Sequence, residues 1–272
     1  MESIKLLVTG NAGVYRGMLL GAISAAMHTE LPIELHIGTM DERELDPRYI
    51  PISEAEREEL EGVLREKNPL SSATLHDLTE SFERELKESK NIDGRYTPYA
   101  MIRLFADELP GIGDKLLYMD TDVLIKSSLA ELWETDVQDY HMAGARDRYG
   151  KFFFGINYLN SGVLLFNMKK MKEDGVFKKC RILCRDKKML LFDQHALNKY
   201  AKRKLVLPRR FNEQKRTAAN TVIRHFSMTI SLFPYLHTKS IKPWQREEVE
   251  NILGERSHKE VYERYEKILI SK

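Results

Sequence analysis

Short apolar runs alternate with amphipathic stretches along the chain, the spacing expected when strands and crossover helices build an open α/β sheet. Residues 4–9 are an apolar run ending at Gly10-Asn11-Ala12-Gly13, a helical pattern covers 15–27, and 33–37 alternates as a strand does. Ser53-Glu54-Ala55-Glu56 is a capping-box pattern opening a charged helix that runs toward Glu66. The spacing predicts a second charged helix over 73–90, so that residues from about 53 to 95 form a polar, helix-rich insertion. Thr97-Pro98 supplies an N-cap and a first-turn proline for a helix predicted to reach Leu109.

Beyond it, 115–125 reads as one buried strand, 127–132 starts a helix, and 141–145 and 162–166 are further strands, the second very apolar and so central. Residues 196–204 read as a helix and 222–226 as a late strand. The tail, 246–272, alternates charged and apolar residues at helical spacing. No internal repeat or clear linker interrupts the pattern. One domain over 1–245 with a C-terminal helical extension over 246–272 is therefore the expected organisation.

Composition narrows the function classes. A chain of 272 residues can bury a substantial core, and 43 basic against 41 acidic residues give no reason to expect a nucleic-acid partner. No stretch approaches the roughly 20 apolar residues of a membrane span, so a soluble, cytoplasmic chain is expected. Cys180 and Cys184 lie one helical turn apart with no further zinc ligand nearby, and read as free thiols.

The run 115–125 reads Lys-Leu-Leu-Tyr-Met-Asp-Thr-Asp-Val-Leu-Ile, with Asp120 and Asp122 one residue apart inside an apolar strand. Side chains at i and i+2 of an extended backbone point the same way, so both carboxylates can meet one hard divalent ion. Two solvated turn aspartates would give the same pattern. Four more patches carry candidate chemistry. Asn160, Ser161 and Gly162 precede an apolar strand, where small residues permit close approach. Asp193 and Gln194 open a helix, His225 ends the late strand, and Lys242 sits beside Pro243 and Trp244. Singly, each has a structural reading as well: a turn former, an N-cap, a core histidine, a surface charge.

In this order the patches closely resemble glycosyltransferase family 8, which includes bacterial lipooligosaccharide galactosyl- and glucosyltransferases and is related to glycogenin. The resemblance runs from residue 1 to about 245 through the segment 115–136, residues 158–170, Asp193-Gln194, His225-Phe226 and Lys242-Pro243-Trp244. It implies a GT-A fold: one Rossmann-like α/β/α sandwich with a mixed central sheet, binding a sugar nucleotide over the carboxyl ends of its strands. It further implies Asp120, Asp122 and His225 as ligands of Mn²⁺ or Mg²⁺. Lys242 and Arg103 would reach the phosphates or donor sugar, and Asn160, Ser161, Asp193 and Gln194 would surround the hexose. The expected activity is retaining transfer of glucose or galactose from a UDP-sugar to a glycan or lipid-linked saccharide of the cell surface. A sugar-nucleotide-binding protein without catalysis and a nucleotidyltransferase are the alternatives.

The sequence departs from the family pattern in two places. Many members follow the first strand with an acidic pair and a base-contacting aromatic residue; here Thr9, Gly10 and Asn11 stand there, leaving Thr9 and Asn11 as donor contacts and Tyr15 as a candidate stacking ring. Between His225 and Lys242 lies an insertion holding Phe233, Pro234, Tyr235 and His237, expected as a lid or acceptor wall, with His237 a rival metal ligand. Asp147, with Arg146, Arg148 and Tyr149, is the acceptor-side candidate, beside a reading as a solvated charged loop. The apolar set Val261, Tyr262, Tyr265 and 268–270 permits peripheral contact with an anionic membrane or packing on the domain.

Overall fold

The computed structural model describes residues 3–94, 97–231 and 237–270. β1 (Ile4–Thr9), α1 (Tyr15–His28) and β2 (Ile33–Thr39) form the opening crossover unit, with β1 and β2 parallel. Ser53 and Glu56 form the capping box at the start of α2 (Glu54–Lys67). The next stretch departs from expectation. Residues 72–77 are a strand, β3 (Ser72–Asp77), parallel to β2, and only α3 (Thr79–Leu86) is helical. Pairing of Leu35 with Ala73 and Ile37 with Leu75 satisfies the backbone there, and the dense charge that suggests a helix begins only after it.

Residues 97–109 do not form the expected helix either. They make two 3₁₀ turns, Pro98–Ala100 and Ile102–Phe105, and the Thr97 side chain caps neither. Ile102, Leu104 and Phe105 are all buried, so the segment is enclosed in the core and has no solvent face for a regular amphipathic helix. The remaining elements are β4 (Lys115–Met119), β5 (Val123–Ile125), a single turn α4 (Ala130–Trp133), β6 (Met142–Arg146), α5 (Gly150–Phe153), β7 (Leu159–Asn167), α6 (Met168–Glu173) and α7 (Val176–Asp186). After them come α8 (Phe192–Tyr200), β8 (Lys204–Leu207), β9 (Ile223–His225), β10 (Thr229–Ser231), β11 (His237–Lys239), α9 (Arg246–Asn251) and α10 (Lys259–Ile270). Lys204, read as the end of a helix, instead starts β8.

Seven strands build the central sheet in the order β3-β2-β1-β4-β7-β6-β8, with β7 alone antiparallel to its neighbours. Its middle strands are apolar on both faces. Leu117 and Met119 of β4 with Val163 and Leu165 of β7 pack toward α1 and α10, while Leu116, Tyr118, Leu164 and Phe166 pack toward α7 and α8. Each such fully buried side chain contributes about 1.5–3 kcal/mol. Part of the C-terminal apolar set belongs to this core: Val261, Tyr262 and Tyr265 are buried, with the Tyr262 hydroxyl donating to the Pro243 carbonyl at 2.8 Å, whereas Leu269 and Ile270 are exposed. Cys180 and Cys184 are buried free thiols on α7. No described helix is long and apolar enough to cross a membrane.

Candidate active site

The two aspartates do not lie on one continuous strand. β4 pairs with β7 in the central sheet as far as Met119, and β5 pairs antiparallel with β9 in a separate two-stranded sheet from Val123. The chain changes sheets across Asp120-Thr121-Asp122, and this turn projects both carboxylates into the cleft. Its backbone is tied down at each end. Asp120 N–H donates to the Gly162 carbonyl at 2.8 Å, and Phe226 N–H donates to the Asp122 carbonyl at 2.9 Å. α1 closes on the turn at Gly17, where a Cβ would collide with the Thr121 carbonyl and come within 2.7 Å of the Trp244 ring.

The turn brings Asp120 and Asp122 to His225, whose Nε2 lies 3.7 Å and 3.2 Å from their oxygens. One ligand atom from each of the three lies within 4.8 Å of the others. A chain of hydrogen bonds fixes the imidazole. Gly162 N–H donates to Asn160 Oδ1 at 3.0 Å, which identifies that atom as oxygen. The Asn212 amide nitrogen therefore donates to it at 2.9 Å, leaving Asn212 Oδ1 to accept from His225 Nδ1 at 3.0 Å. With Nδ1 engaged by Asn212, His225 turns Nε2 toward the two carboxylates, where it can join them as a ligand of one cation. Oxygen, oxygen and imidazole nitrogen suit Mn²⁺ or Mg²⁺, and the nitrogen favours Mn²⁺. These residues fit the ion.

Gly162 makes this convergence possible. A Cβ there would lie 2.7 Å from His225 Nδ1, 2.8 Å from Asp120 Oδ2, and closer still to His225 Cε1. The sequence marked this glycine as a place of close approach; what approaches is Asp120 and His225 themselves.

Arg103 organises the opposite wall from the second 3₁₀ turn. Its guanidinium pairs with Asp120 at 2.8 Å and Asp193 at 3.3 Å, donates to the Ser161 carbonyl at 2.9 Å, and lies 4.3 Å from the centre of the Tyr118 ring. The Tyr118 hydroxyl donates to Asp120 at 2.8 Å. Burial raises the Asp193 pKa, opposed by Arg103. Burial pushes Asp122 the same way, but Lys242 and His225 outweigh it and hold the carboxyl well below the usual range. Lys242 Nζ stands 2.6 Å from Asp122 Oδ2.

Gln194 is held at both ends of its amide. Ser161 N–H donates to Oε1 at 2.9 Å, and Nε2 donates to Asp147 at 3.3 Å. Asp147 also accepts from Asn160 Nδ2 at 2.8 Å and from the backbone N–H groups of Tyr149 and Gly150 at 3.0 and 2.5 Å. Asp147 thus joins Gln194 to the chain that orients His225.

These groups line one cleft of about 550 Å³ at the carboxyl ends of β1 and β4. Thr9, Asn11, Arg103, Asp120, Asp122, Asn160, Ser161, Asp193, Gln194, His225 and Lys242 all face it; Asp147 lies behind its wall. Thr9 Oγ1 is 3.2 Å from the Tyr118 hydroxyl, and Asn11 Nδ2 donates to the Arg48 carbonyl at 3.4 Å. Tyr15, the expected stacking ring, is instead buried with its hydroxyl on Glu59; the aromatic residues that line the cleft are Tyr99, Tyr118 and Trp244. The insertion before Lys242 includes the antiparallel pair β10 and β11 and returns the lysine to Asp122. Phe233, Pro234 and Tyr235 lie outside the described residues. His237 begins β11, and among the described residues the group that could hold a metal ion consists of Asp120, Asp122 and His225.

Sequence reasoning missed Asn212, Tyr118 and Tyr99. Asn212 is fully buried in a polar-looking stretch, Arg-Arg-Phe-Asn-Glu-Gln, where only the fold shows which amide turns inward. Tyr118 counted as one more apolar strand residue.

A mixed sheet with a cleft at its switch from parallel to antiparallel pairing, and a paired-aspartate turn at that cleft, defines the GT-A glycosyltransferase fold. The profile of glycosyl transferase family 8 matches residues 15–248, and the chain belongs to that family. It resembles Glycosyltransferase GlyA of Streptococcus pneumoniae, 41% identical over 66 residues, covering 24% of this chain and 10% of that protein. It also resembles Glycosyltransferase GlyF of the same organism, 29% identical over 120 residues, covering 43% and 30%. The chain thus spans less than a third of either relative. In three dimensions it resembles the galactosyltransferase LgtC in complex with donor and acceptor sugar analogs, with TM-score 0.66, 20% identity and 96% coverage of both chains. Glycosyltransferase GlyE of Streptococcus pneumoniae superposes with TM-score 0.65 at 18% identity, over 98% of this chain and 64% of that one.

Proposed function

We propose that the chain is a metal-dependent, retaining hexosyltransferase that moves glucose or galactose from a UDP-sugar to a glycan or lipid-linked saccharide. The observation that carries this reading is the convergence of Asp120, Asp122 and His225, one ligand atom of each within 4.8 Å of the others, on a cleft whose cationic walls are Arg103 and Lys242. A divalent ion held there supplies Lewis-acid stabilisation of the charge that develops on a departing diphosphate. Arg103 and Lys242 add fixed positive charge beside it, and Lys242 can exchange its contact with Asp122 for a phosphate oxygen. Thr9, Asn11 and Tyr99 stand where the nucleoside would lie. The catalytic unit over 1–245 and the brace over 246–272 belong to the same proposal.

Asn160, Ser161, Asp193 and Gln194 would hold the hexose. The Gln194 amide is engaged at both ends and is a poor nucleophile, and the Asp193 carboxylate is paired with Arg103. Both facts favour front-face attack, in which the acceptor oxygen enters on the side the phosphate leaves and passes its proton to that phosphate. Asp193 and Gln194 then stabilise positive charge on the anomeric carbon. Asp147 fixes Gln194 and would set the acceptor edge through it.

Hydrolysis of UDP-glucose and UDP-galactose in the presence of Mn²⁺ tests the reading. Slow release of UDP and free hexose, abolished by chelation and by Asp122→Asn, is expected. UDP binding without hydrolysis or transfer of any UDP-hexose would overturn it. A covalent glycosyl adduct at Asp193 would sink the front-face route while leaving the transferase.

A further inference from the structure

An exposed apolar turn stands beside the Gln194 edge of the cleft, between two basic recesses. Phe152, Phe153 and Ile156 are 76%, 77% and 71% exposed on α5 and the residues after it. Exposed apolar clusters of this kind mark contact surfaces. The turn is firmly held. Asp147 accepts the Tyr149 and Gly150 N–H groups, Arg146 donates to the Ile156 carbonyl at 2.8 Å, and Phe154 packs on Tyr158 and His195 with ring centres 4.8 and 5.6 Å away. The outward rings are therefore presented by a fixed scaffold.

Both flanks are cationic. Arg146, Arg148, Lys151 and Arg209 line a recess of about 210 Å³ on one side. Lys199, Lys202 and Lys204 line one of about 540 Å³ on the other, together with Ile156. Residues 146–158 and 199–210 hold nine basic side chains and a single acid, Asp147, in a chain whose formal net charge is only +2. Arg209 and Arg210 are answered by Glu213 and Glu131. Among the described residues no carboxylate pairs with Arg146, Arg148, Lys151, Lys199, Lys202 or Lys204. Aromatic tips between unanswered cations are the chemistry that recognises an anionic lipid surface, where rings enter the headgroup layer and each lysine or arginine meets phosphate.

We propose that this face docks the protein on an anionic bilayer, with Phe152, Phe153 and Ile156 inserted and the flanking lysines and arginines on lipid phosphates. We place the contact on this face and not on the C-terminal helix, whose Val261, Tyr262 and Tyr265 are buried in the core and whose exposed Leu269 and Ile270 lack its flanking basic recesses. The proposal rests on the transferase reading only for its purpose, presenting a membrane-borne acceptor to Gln194; binding itself needs no turnover.

Co-sedimentation of the full chain with vesicles tests it. Vesicles of phosphatidylcholine with roughly a third phosphatidylglycerol should bind about tenfold or more better than phosphatidylcholine alone, with the difference lost in about 0.5 M salt. Phe152→Ser with Phe153→Ser, and separately Lys199→Glu with Lys202→Glu, should each weaken binding about tenfold or more. Leu269→Ser with Ile270→Ser, on the exposed end of α10, should leave it unchanged. Equal binding to both vesicle types, parental binding by the loop variants, or loss of binding only in the α10 variant would overturn the proposal. Melting curves of each variant show that the exposed substitutions leave the fold intact.

Discussion

The floor of the cleft and its outer edge are two regions built on different terms. On the floor, Asp120, Asp122 and His225 are each fixed through backbone: a sheet-changing turn, a glycine that admits the ligand atoms, and an amide chain that starts at the Gly162 N–H group. At the edge, the side chains of Phe152, Phe153 and Ile156 stand in solvent, and only the backbone beneath them is tied down. On the proposed reading, the difference follows from what each region would do. Ligands of one ion have to converge within a few tenths of an ångström, whereas a surface contact needs only the right apolar and charged character. Substitutions on the floor should therefore cost far more than substitutions at the edge.

The largest effect is expected where the floor is braced from behind. Arg224, the residue before His225, pairs with Glu255 at 2.8–3.0 Å, and both are almost fully buried. Burial disfavours the Glu255 carboxylate, but His258 and Arg224 outweigh that and hold its pKa at about 2. Glu255→Gln leaves the Arg224 charge uncompensated and should destabilise the chain by about 3–5 kcal/mol in urea denaturation. A loss below about 1 kcal/mol would show that the C-terminal segment does not support β9.

Gly162→Ala comes next. The added methyl would meet His225 and Asp120 from a strand fixed between β4 and β6, so it should lower Mn²⁺ affinity about 100-fold or more. The readout is Mn²⁺-dependent thermal stabilisation in the presence of UDP, and unchanged stabilisation would break the argument. Asn212→Ala removes the partner that fixes the His225 proton on Nδ1, together with its bond to Asn160 Oδ1. Loss of an outer hydrogen bond of this kind costs about 10–100-fold in metal affinity. Activity should return at raised Mn²⁺, which a catalytic role for Asn212 would not allow.

How much of this was legible follows the same division. The candidate site residues carry their chemistry in their own side chains, and Asp120, Asp122, Asn160, Asp193, Gln194, His225 and Lys242 stood out by occurring together in that order, each alone having a structural reading. Their means of convergence could not. A run such as 115–125 looks like one strand because its apolar pattern continues across the aspartates; the change of sheet depends on β9, a hundred residues later. Asn212 and Tyr118 act through neighbours distant in sequence, and neither position differs locally from an ordinary loop or core residue. Residues 72–77 and 97–109 failed for a related reason. Pairing with β2 and enclosure in the core overrode the local helical signal.

The smallest effect on the fold should come from the edge. Phe152→Ser with Phe153→Ser removes two rings that are about three-quarters exposed, so little buried apolar area is lost. The anchors beneath them, Asp147 to Tyr149 and Gly150 and Phe154 to Tyr158, stay in place. The expected change in stability is within about 0.5 kcal/mol, or a shift in melting temperature under about 2 °C for a domain of this size. A larger drop would mean that these rings close over the chain in solution, and the edge would then belong to the same tightly packed class as the floor. A small change, joined to the loss of vesicle binding, would leave the two regions as distinct as their geometry makes them: one converged on a point, the other spread over a surface.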